Sequence, residues 1–403
     1  MPSLMHAAEA ARSATPDALA VALLEARTQT LAAFEAWSEA LPGLTVPHRD
    51  QLNPPLWELG HVGWFQEWWT TRNPQCTRGV DADPNVARPA AILPGADALY
   101  DSGRVAHATR WSLPLPDAAT TSAYLAQSLD ATLALLAATQ AVAKVDDTSL
   151  YFYRLCLFHE DMHNEAAIYM GQALGIPVPG IATAPRCSDG AIALESAMHR
   201  LGWSGPGFAF DNELAGVDVA VRAGEIDAAP VSNARFAAFV EAGGYANAAY
   251  WSEAGRAWLA NSGRKAPRCW RRHGAGWQHQ WFGKWVELDP QLPAMNLNCF
   301  EAEAWCAWAG RALPTEAQWE HAVLSAPDFQ WGSVWEWTAE VFRPYPGFTP
   351  HPYRDYSAPW FESRRLLKGA SIATHARMRH PRYRNFFTPE RDDIFAGFRS
   401  CSQ

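Results

Sequence analysis

A change of pattern near residue 180 constrains the fold of this chain more than any other feature of its sequence. Before it, apolar residues recur near helical spacing in long segments. After it, segments are short, and glycine, proline and most of the 20 tryptophans are scattered among them. Four long helices favour an up-and-down bundle, whereas the second half is typical of short strands and long loops. We therefore predict an α+β chain of two domains, 1–180 and 181–403, which also suits a length of 403 residues.

Local signals set the ends of several predicted helices. The second bundle helix begins at Pro54 or Pro55, because proline is favoured in a first turn, and Gly175 ends the fourth. In the second half, Ser232 is a predicted N-cap, and a capping box is predicted before a later helix at Thr315 and Gln318. The other two bundle helices are predicted over about 16–40 and 117–145.

Composition and charge narrow the class of protein. With 42 acidic and 33 basic side chains, the formal net charge of −9 argues against nucleic acid as the main partner. We find no secretory signal at the N-terminus and no apolar stretch near the roughly 20 residues of a membrane span. Seven cysteines without a CxxC pair argue against a disulfide framework. We expect a cytoplasmic protein with small-molecule partners.

The string FHEDMHNEA carries the sharpest chemical signal. His159 and His163 are four residues apart, so on a helix they share a face and can bind one metal ion. The string also matches H-E-x-x-H, the zinc-protease signature, in which Glu160 would be the general base. Two ordinary histidines on a helix surface are the alternative. Glu165, close by, is expected either to orient a ligand imidazole or to form a surface salt bridge.

His61 adds a third imidazole on another predicted bundle helix, within PPLWELGHVGWFQEWW. A lone histidine among large aromatic residues is more often a packed core residue. Opposite His159 and His163, however, it could complete a face of three nitrogen ligands that leaves coordination positions open. Such a site suits Zn(II) hydrolysis or Fe(II) oxygen chemistry, and the ligand types alone do not decide between them.

Longer motifs make the chain similar to known families. The first half resembles the DinB-like four-helix bundle. The second resembles the formylglycine-generating-enzyme-type domain, a C-type-lectin-like fold, through WCAWAGRALPTEAQWEHAV, GSVWEWTAEVFRPYPGF, LLKGASIAT and YRNFFTPERDDIFAGFR. Fused in this order, the two domains resemble the ergothioneine-type sulfoxide synthases. These are non-haem iron enzymes that use O2 to join a sulfur donor to the imidazole carbon of hercynine (trimethylhistidine).

The resemblance implies a role for each matching residue. His61, His159 and His163 correspond to the three Fe(II) ligands, which disfavours the zinc-hydrolase reading with Glu160. A formylglycine-generating activity is disfavoured because only Cys401 lies where that activity uses a cysteine pair. The cation of hercynine is expected near an asparagine and an aromatic residue, and the proton or hydrogen donor is expected to be a tyrosine. The matching residues are Asn385 and Phe386 for the cation, and Tyr353, with Tyr356 as second choice, for the donor.

Two departures from the family pattern concern the substrates. Met162 stands where enzymes that use γ-glutamylcysteine have a glutamine, and Phe387 stands where they have an aspartate facing the ammonium of the donor. Losing that carboxylate removes a charge-assisted hydrogen bond worth about 1.5–3 kcal/mol. Arg391 matches the family's arginine. These departures favour a donor that lacks the ammonium group.

The long loop before the third bundle helix supplies further expected donor contacts, namely Arg104, Arg110 and Trp111. Its mixed composition resembles that of the selenoneine synthase branch, whose members join hercynine to a 1-selenosugar through a C–Se bond and form a selenoxide. We predict this activity ahead of a sulfoxide synthase that uses cysteine or γ-glutamylcysteine. A zinc hydrolase and a non-catalytic lectin-like binding module are the remaining alternatives.

Overall fold

The computed structural model describes residues 2–142 and 145–403 and has two parts, as predicted. The first part is helical, and the second combines short helices with small sheets. The predicted continuation of the third bundle helix through residues 143 and 144 lies outside the described residues. The helices are α1 (Pro2–Arg12), α2 (Pro16–Ala40), α3 (Pro55–Trp69), α4 (Ala96–Tyr100), α5 (Ala118–Val142), α6 (Asp147–Leu174), α7 (Asn233–Glu241), α8 (Glu253–Ser262), α9 (Cys299–Ala309) and α10 (Glu316–Ser325).

Helices α2, α3, α5 and α6 form the predicted four-helix bundle, in which α3 packs on α5 and α2 packs on α6. Helix α6 begins with a capping box between Asp146 and Ser149. It ends at Gly175, whose φ of 77° is a left-handed conformation that glycine adopts at little cost. Large apolar side chains of the bundle such as Trp57 and Phe158 are buried, and Phe158 packs against Phe208 and Phe210 of the second part. Across the described part of the chain, no helix is both long and apolar enough to span a bilayer.

The second part contains four small sheets. The strands are β1 (Ala191–Leu194), β2 (Ala197–Leu201), β3 (Val217–Val221), β4 (Gly224–Asp227), β5 (Trp270–His273), β6 (Gly276–Trp281), β7 (Lys284–Glu287), β8 (Trp335–Val341), β9 (Arg365–Gly369), β10 (Asn385–Phe387) and β11 (Ala396–Gly397). The largest sheet has the strand order β10-β9-β8-β11, in which β8 is antiparallel to β9 and parallel to β11. The other three sheets are the pairs β1-β4 and β2-β3 and the three-stranded sheet β5-β6-β7.

Helix α6 joins the two parts of the molecule. Asp161, in the middle of this helix, accepts two hydrogen bonds from Arg377 of the second part, at 2.7 and 2.9 Å. One turn further on, Glu165 accepts from the indole nitrogen of Trp335 at 2.7 Å. The predicted boundary at 180/181 falls between the end of α6 and the start of β1 and stays a prediction. Residues of α6 therefore contact both the bundle and the second part.

Candidate metal centre

Three histidines meet where α3 faces α6. His61 comes from α3, and His159 and His163 come from successive turns of α6. One nitrogen from each ring can be chosen so that all three lie within 4.8 Å of one another. His61 and His159 are buried, whereas His163 is partly exposed. The structure thus brings together the three imidazoles that the sequence analysis selected.

The protein orients two of these rings through Nδ1. His61 donates from Nδ1 to the carbonyl oxygen of Tyr100 at 2.8 Å, and Nδ1 of His163 lies 2.5 Å from Oε2 of Glu58. Gly60 allows the ring of Tyr100 to pack against α3, because a Cβ at that position would lie 2.1 Å from Cζ. With Nδ1 engaged on both rings, Nε2 is the nitrogen that each can offer to a metal ion.

The third ring, His159, is held by stacking. It lies flat against Phe65, with ring centroids 3.5 Å apart and planes inclined by 3°. Burial is the main cause that lowers the pKa of His159 well below its ordinary value, and it lowers that of His61 to about 3. Both rings are therefore neutral at pH 7 and can donate a lone pair. Three imidazole nitrogen donors fit a divalent transition metal that keeps open positions for other ligands.

Glu58 belongs to a chain of hydrogen bonds that ends at His163. Arg110 donates to Oδ1 of Asn53 at 2.9 Å, and Asn53 donates to Oε1 of Glu58 at 2.5 Å. Burial alone would raise the pKa of Glu58, but the charge and hydrogen bond of His163 outweigh it and lower the value to about 2. Arg110, expected from the sequence to contact a donor, instead lies over the ring of Trp57 at 3.7 Å and holds Asn53.

Glu160 lies away from the three imidazoles. Its carboxylate pairs with Arg27 of α2 at 2.8 Å and accepts from the hydroxyl of Thr30 at 2.7 Å. Both partners and Glu160 itself are buried in the bundle. A carboxylate committed to a buried ion pair is a poor general base for a metal-bound substrate. The zinc-hydrolase alternative therefore lacks its base in this structure.

A cavity of about 120 Å³ lies on the side of α6 that faces the second part. Met162, one turn after His159, contributes to its wall together with Asn385 and Phe387 of β10. Phe386 lies on the opposite face of that strand and stacks on Phe342 with ring centroids 4.1 Å apart. Successive strand residues point to opposite faces, so only two of the three predicted β10 residues line this cavity. The remaining lining residues are Glu165, Tyr169, Trp335, Met378, Tyr383 and Ile394.

Glu165 is part of this cavity rather than a partner of an imidazole. It accepts from Ser371 at 2.6 Å and from Trp335 at 2.7 Å, so neither sequence interpretation of Glu165 is correct. Burial raises the pKa of Glu165, and these two hydrogen bonds offset part of that effect. The imidazole contact predicted as one role for Glu165 is made instead by Glu58, which lies against His163.

The two predicted tyrosines differ in their hydrogen bonds. The ring of Tyr353 lies edge-on to Phe65 at 4.9 Å and 6.3 Å from the ring of His159. Among the described residues, its hydroxyl has no hydrogen-bond partner within the protein. The hydroxyl of Tyr356 instead lies 3.0 Å from that of Tyr383 and 3.9 Å from Sδ of Met162. Burial raises the pKa of both tyrosines above the ordinary value, so each phenol is protonated at pH 7.

A second cavity, of about 280 Å³, opens beside Tyr353. Aromatic rings line one part of it, including Trp64 and Trp68, which stack with centroids 5.3 Å apart. Charged side chains of both signs line the rest, namely Asp101, Arg104, Arg354 and Asp355. Its lining thus combines flat apolar surface with hydrogen-bond donors and acceptors.

Two other residues expected at the substrates have local partners. Arg391 forms a two-point ion pair with Asp393, at 2.6 and 2.8 Å, and its guanidinium lies 4.9 Å from the ring centre of Phe387. Trp111 donates to the carbonyl of Val46 at 2.9 Å and packs against His48. Trp111 therefore fastens the long loop to the segment after α2, and it lines neither of the two cavities described above.

Comparison with known proteins decides the family. The chain is 31% identical to the hercynine oxygenase of Mycolicibacterium thermoresistibile, with 94% of each chain covered. It is 30% identical to the hercynine oxygenase of Mycolicibacterium smegmatis, over 86% of this chain and 90% of that protein. The chain belongs to the hercynine oxygenase family. The Mycobacterium tuberculosis member is 29% identical, over 96% of this chain and 98% of its own length.

Family models for the two halves agree with this membership in the hercynine oxygenase family. The DinB superfamily matches residues 22–167, and the sulfatase-modifying factor enzyme 1-like domain matches residues 187–332 and 326–403. The formylglycine-generating enzyme of Streptomyces coelicolor is 32% identical, but over only 38% of this chain and 54% of that protein. Relatives that carry the name hercynine oxygenase therefore match both halves, whereas this formylglycine-generating enzyme matches a part.

Proposed function

We propose that this protein is an Fe(II)- and O2-dependent oxidoreductase that joins hercynine to a 1-selenosugar through a C–Se bond. The imidazole C–H of hercynine and the Se–H of the donor are replaced by the new bond. One oxygen atom of O2 enters the selenoxide, and the other leaves as water with the two hydrogen atoms. The cluster of His61, His159 and His163, in a member of the hercynine oxygenase family, carries this proposal.

His61, His159 and His163 would hold the Fe(II) ion through Nε2. When bound, Fe(II) supplies the activation of O2 and the oxidation of the two substrates. Burial keeps His61 and His159 neutral, and the carbonyl of Tyr100 and the carboxylate of Glu58 hold the rings of His61 and His163 in orientation. These contacts reduce the reorganisation that metal binding requires.

The cavity of about 120 Å³ suits the trimethylammonium end of hercynine. A quaternary ammonium cannot donate a hydrogen bond, so aromatic faces and a nearby carboxylate are the groups that bind it well. Trp335 and Tyr169 supply the aromatic surface, and Glu165 supplies the carboxylate. Asn385 offers an amide to the carboxylate end of the same substrate. Met162 lines this cavity and lies on α6 between His159 and His163, so the imidazole of hercynine would extend from the cavity toward the metal site.

Three of the positions that match the family's donor contacts support a neutral donor. A γ-glutamylcysteine donor carries carboxylates and an ammonium, each of which requires an opposite charge that is free to pair. Arg391 is already paired with Asp393, Arg110 holds Asn53, and an apolar ring stands at position 387. A sugar carries hydroxyls and no charge, and the mixed lining of the 280 Å³ cavity matches those hydroxyls.

Tyr353 is the residue best suited to donate a proton or hydrogen atom during the reaction. Its phenol is protonated at pH 7, and its ring lies between the 280 Å³ cavity and His159. Tyr356 holds Tyr383 and Met162 through its hydroxyl, so its role would be to position the cavity wall.

Oxygen consumption with matched donors tests the proposal. The protein would be loaded with Fe(II) anaerobically and mixed with O2, hercynine and 1-selenoglucose, 1-thioglucose or γ-glutamylcysteine. We expect O2 uptake only with hercynine and a donor present, and the highest kcat/KM with 1-selenoglucose. The 1-thioglucose arm separates recognition of the sugar from recognition of selenium. Higher kcat/KM with γ-glutamylcysteine would assign a sulfoxide synthase instead, and no uptake with any donor would refute the oxygenase.

The iron site needs a readout of its own. His61→Ala removes one ligand from α3 and leaves the α6 pair intact. We expect this variant to lose stoichiometric Fe(II) binding in an anaerobic titration, while its circular dichroism stays that of the wild type. Retention of one Fe(II) per chain would overturn the ligand assignment.

A further inference from the structure

The three-stranded sheet β5-β6-β7 turns one face toward a cavity of about 360 Å³ that is separate from the metal centre. On this face His279 of β6 is flanked by Trp270 of β5 and Val286 of β7, its cross-strand partners. Such partners project to the same side of a sheet. Trp281, two residues along β6, continues the face. A three-stranded sheet with this much apolar surface normally packs it against other side chains.

The opposite wall comes from other parts of the chain. Met295 and Ile372 are buried side chains of the second part, and residues 181–184 cross the cavity after the end of α6. The segment is held there by a hydrogen bond from the amide of Ala182 to the carbonyl of Ile372, at 2.9 Å. The cavity therefore has a fixed frame of aromatic and aliphatic side chains, and its volume is in the range of small-molecule sites.

His279 is the polar group within this apolar frame. It is about nine-tenths buried, and Nε2 has no conventional hydrogen-bond partner among the described residues. Asn296 lies beside the ring and interacts with it, and the amide nitrogen of Asn296 donates to the carbonyls of Asp393 and Ile394. The amide oxygen of Asn296 and Nε2 of His279 are both buried without a conventional partner in the described part of the chain, so we assign them to each other, with Nε2–H as the donor. A neutral ring that donates from Nε2 offers the lone pair on Nδ1 to a ligand.

Charge at the rim restricts the ligand further. The described residues that line the cavity include the acidic Glu287 and Asp289 but no lysine or arginine, so an anion is disfavoured. Asp289 is paired with Arg186 at 3.2 Å, and Glu287 accepts from Gln278 at 2.7 Å. Because both carboxylates have partners, the rim does not demand a cationic ligand either.

We propose that this cavity binds a neutral, planar aromatic molecule, which stacks against Trp270 or Trp281 and donates one hydrogen bond to His279. The site is independent of the proposed catalytic activity, since none of its lining residues lines the cavities at the metal centre.

A pair of isosteric probes tests both parts of this proposal. Indole and benzofuran have nearly the same shape, but only indole has a donor N–H. We expect calorimetric titration of the full chain to give one indole site, with benzofuran about fivefold weaker, as befits one neutral hydrogen bond. Equal affinity of the two probes for the wild type, or no indole binding at millimolar concentration, would overturn the proposal.

Variants locate the site. Ala184→Trp fills the cavity from the crossing segment and should abolish binding of both probes, whereas Ala248→Trp, at an exposed position elsewhere, should not. His279→Phe keeps a flat ring without nitrogen and should make the affinities for indole and benzofuran equal. His273→Phe is the matched control, because His273 is exposed on the neighbouring strand. Indole binding unchanged by Ala184→Trp, or a preference for indole that survives His279→Phe, would refute the assignment.

Discussion

The contact between Glu58 and His163 gives the metal centre a testable energetic property. The two side chains come from different helices, the nitrogen–oxygen distance is 2.5 Å, and Glu58 is mostly buried. A carboxylate that accepts from Nδ1 fixes the ring orientation and makes Nε2 a stronger ligand. Loss of such a partner typically weakens metal binding by about 10–100-fold, which corresponds to about 1.4–2.7 kcal/mol.

Two substitutions of Glu58 should weaken Fe(II) binding to different extents. Glu58→Gln keeps one oxygen that can accept from His163, but it loses the charge and turns an NH2 group toward the donating amide of Asn53, so we expect about a tenfold weaker Fe(II) affinity. Glu58→Ala removes both hydrogen bonds, and we expect a loss near a hundredfold. Anaerobic competition between the protein and a chromophoric chelator measures both affinities without requiring turnover.

A second buried glutamate on α3 provides the control. Glu67 accepts from the hydroxyl of Tyr124 at 2.6 Å and from the amide of Ile92 at 2.7 Å. Glu67→Gln therefore disturbs the same helix without touching an imidazole. If Glu58→Ala bound Fe(II) within twofold of the wild type, or if Glu67→Gln weakened binding as much as Glu58→Ala, the orienting role of Glu58 would be refuted.

Four other substitutions test the site and the fold. In steady-state O2 uptake, Tyr353→Phe should lower kcat by about 10²–10⁴-fold with little change in the KM for hercynine. Tyr356→Phe should lower kcat less, and equal losses of kcat in the two variants would contradict the choice of Tyr353. Phe387→Asp should move the ratio of kcat/KM values toward γ-glutamylcysteine by about tenfold or more, and an unchanged ratio would remove position 387 from donor recognition. Burial raises the pKa of Glu340 from 4.5 to about 7, so the folded chain holds a proton there that the unfolded chain releases at lower pH. The free energy of unfolding of the wild type should therefore fall as pH rises through that interval, by up to about 3 kcal/mol. In urea unfolding at pH 5 and 8, Glu340→Gln should abolish this part of the fall. The same pH dependence in the variant and the wild type would contradict the raised pKa of Glu340.

Local signals in the sequence predicted the helices well because each acts within a few residues. Pro55 is the first residue of α3, and Gly175 ends α6 in the left-handed conformation. Ser232 caps α7, and Thr315 forms the predicted capping box with Gln318. In each case the hydrogen bond or backbone angle depends on the immediate neighbours, so tertiary packing did not have to be known.

The two glutamates near the metal site show where such reasoning stops. Glu165 is two residues after His163, and residues two apart on a helix face away from each other, so it contacts the second part instead. Glu58 is one turn before His61, yet its partner is His163 of another helix. That pairing depends on how α3 packs against α6, which the sequence does not specify.

The C-terminal motif illustrates a different limit. Asn385, Phe386 and Phe387 were expected together at the substrates, but they form a strand, whose alternation sends Phe386 away from the cavity and onto Phe342. Correct use of the motif therefore required the secondary structure of β10 to be known first.

Arg391 shows that a matching residue need not keep a matching electrostatic role. The arginine is present at the expected spacing, but Asp393, two residues later, forms a two-point ion pair with it. To pair with Arg391, a carboxylate of the donor would have to displace Asp393. The side chain of Asp393 is buried and would then be left without its partner. Leaving a buried charge unpaired costs more than a surface ion pair returns. The neutral-donor hypothesis thus depends on the partner of Arg391 as much as on Phe387, and exchanging Phe387 alone should shift the donor preference only in part.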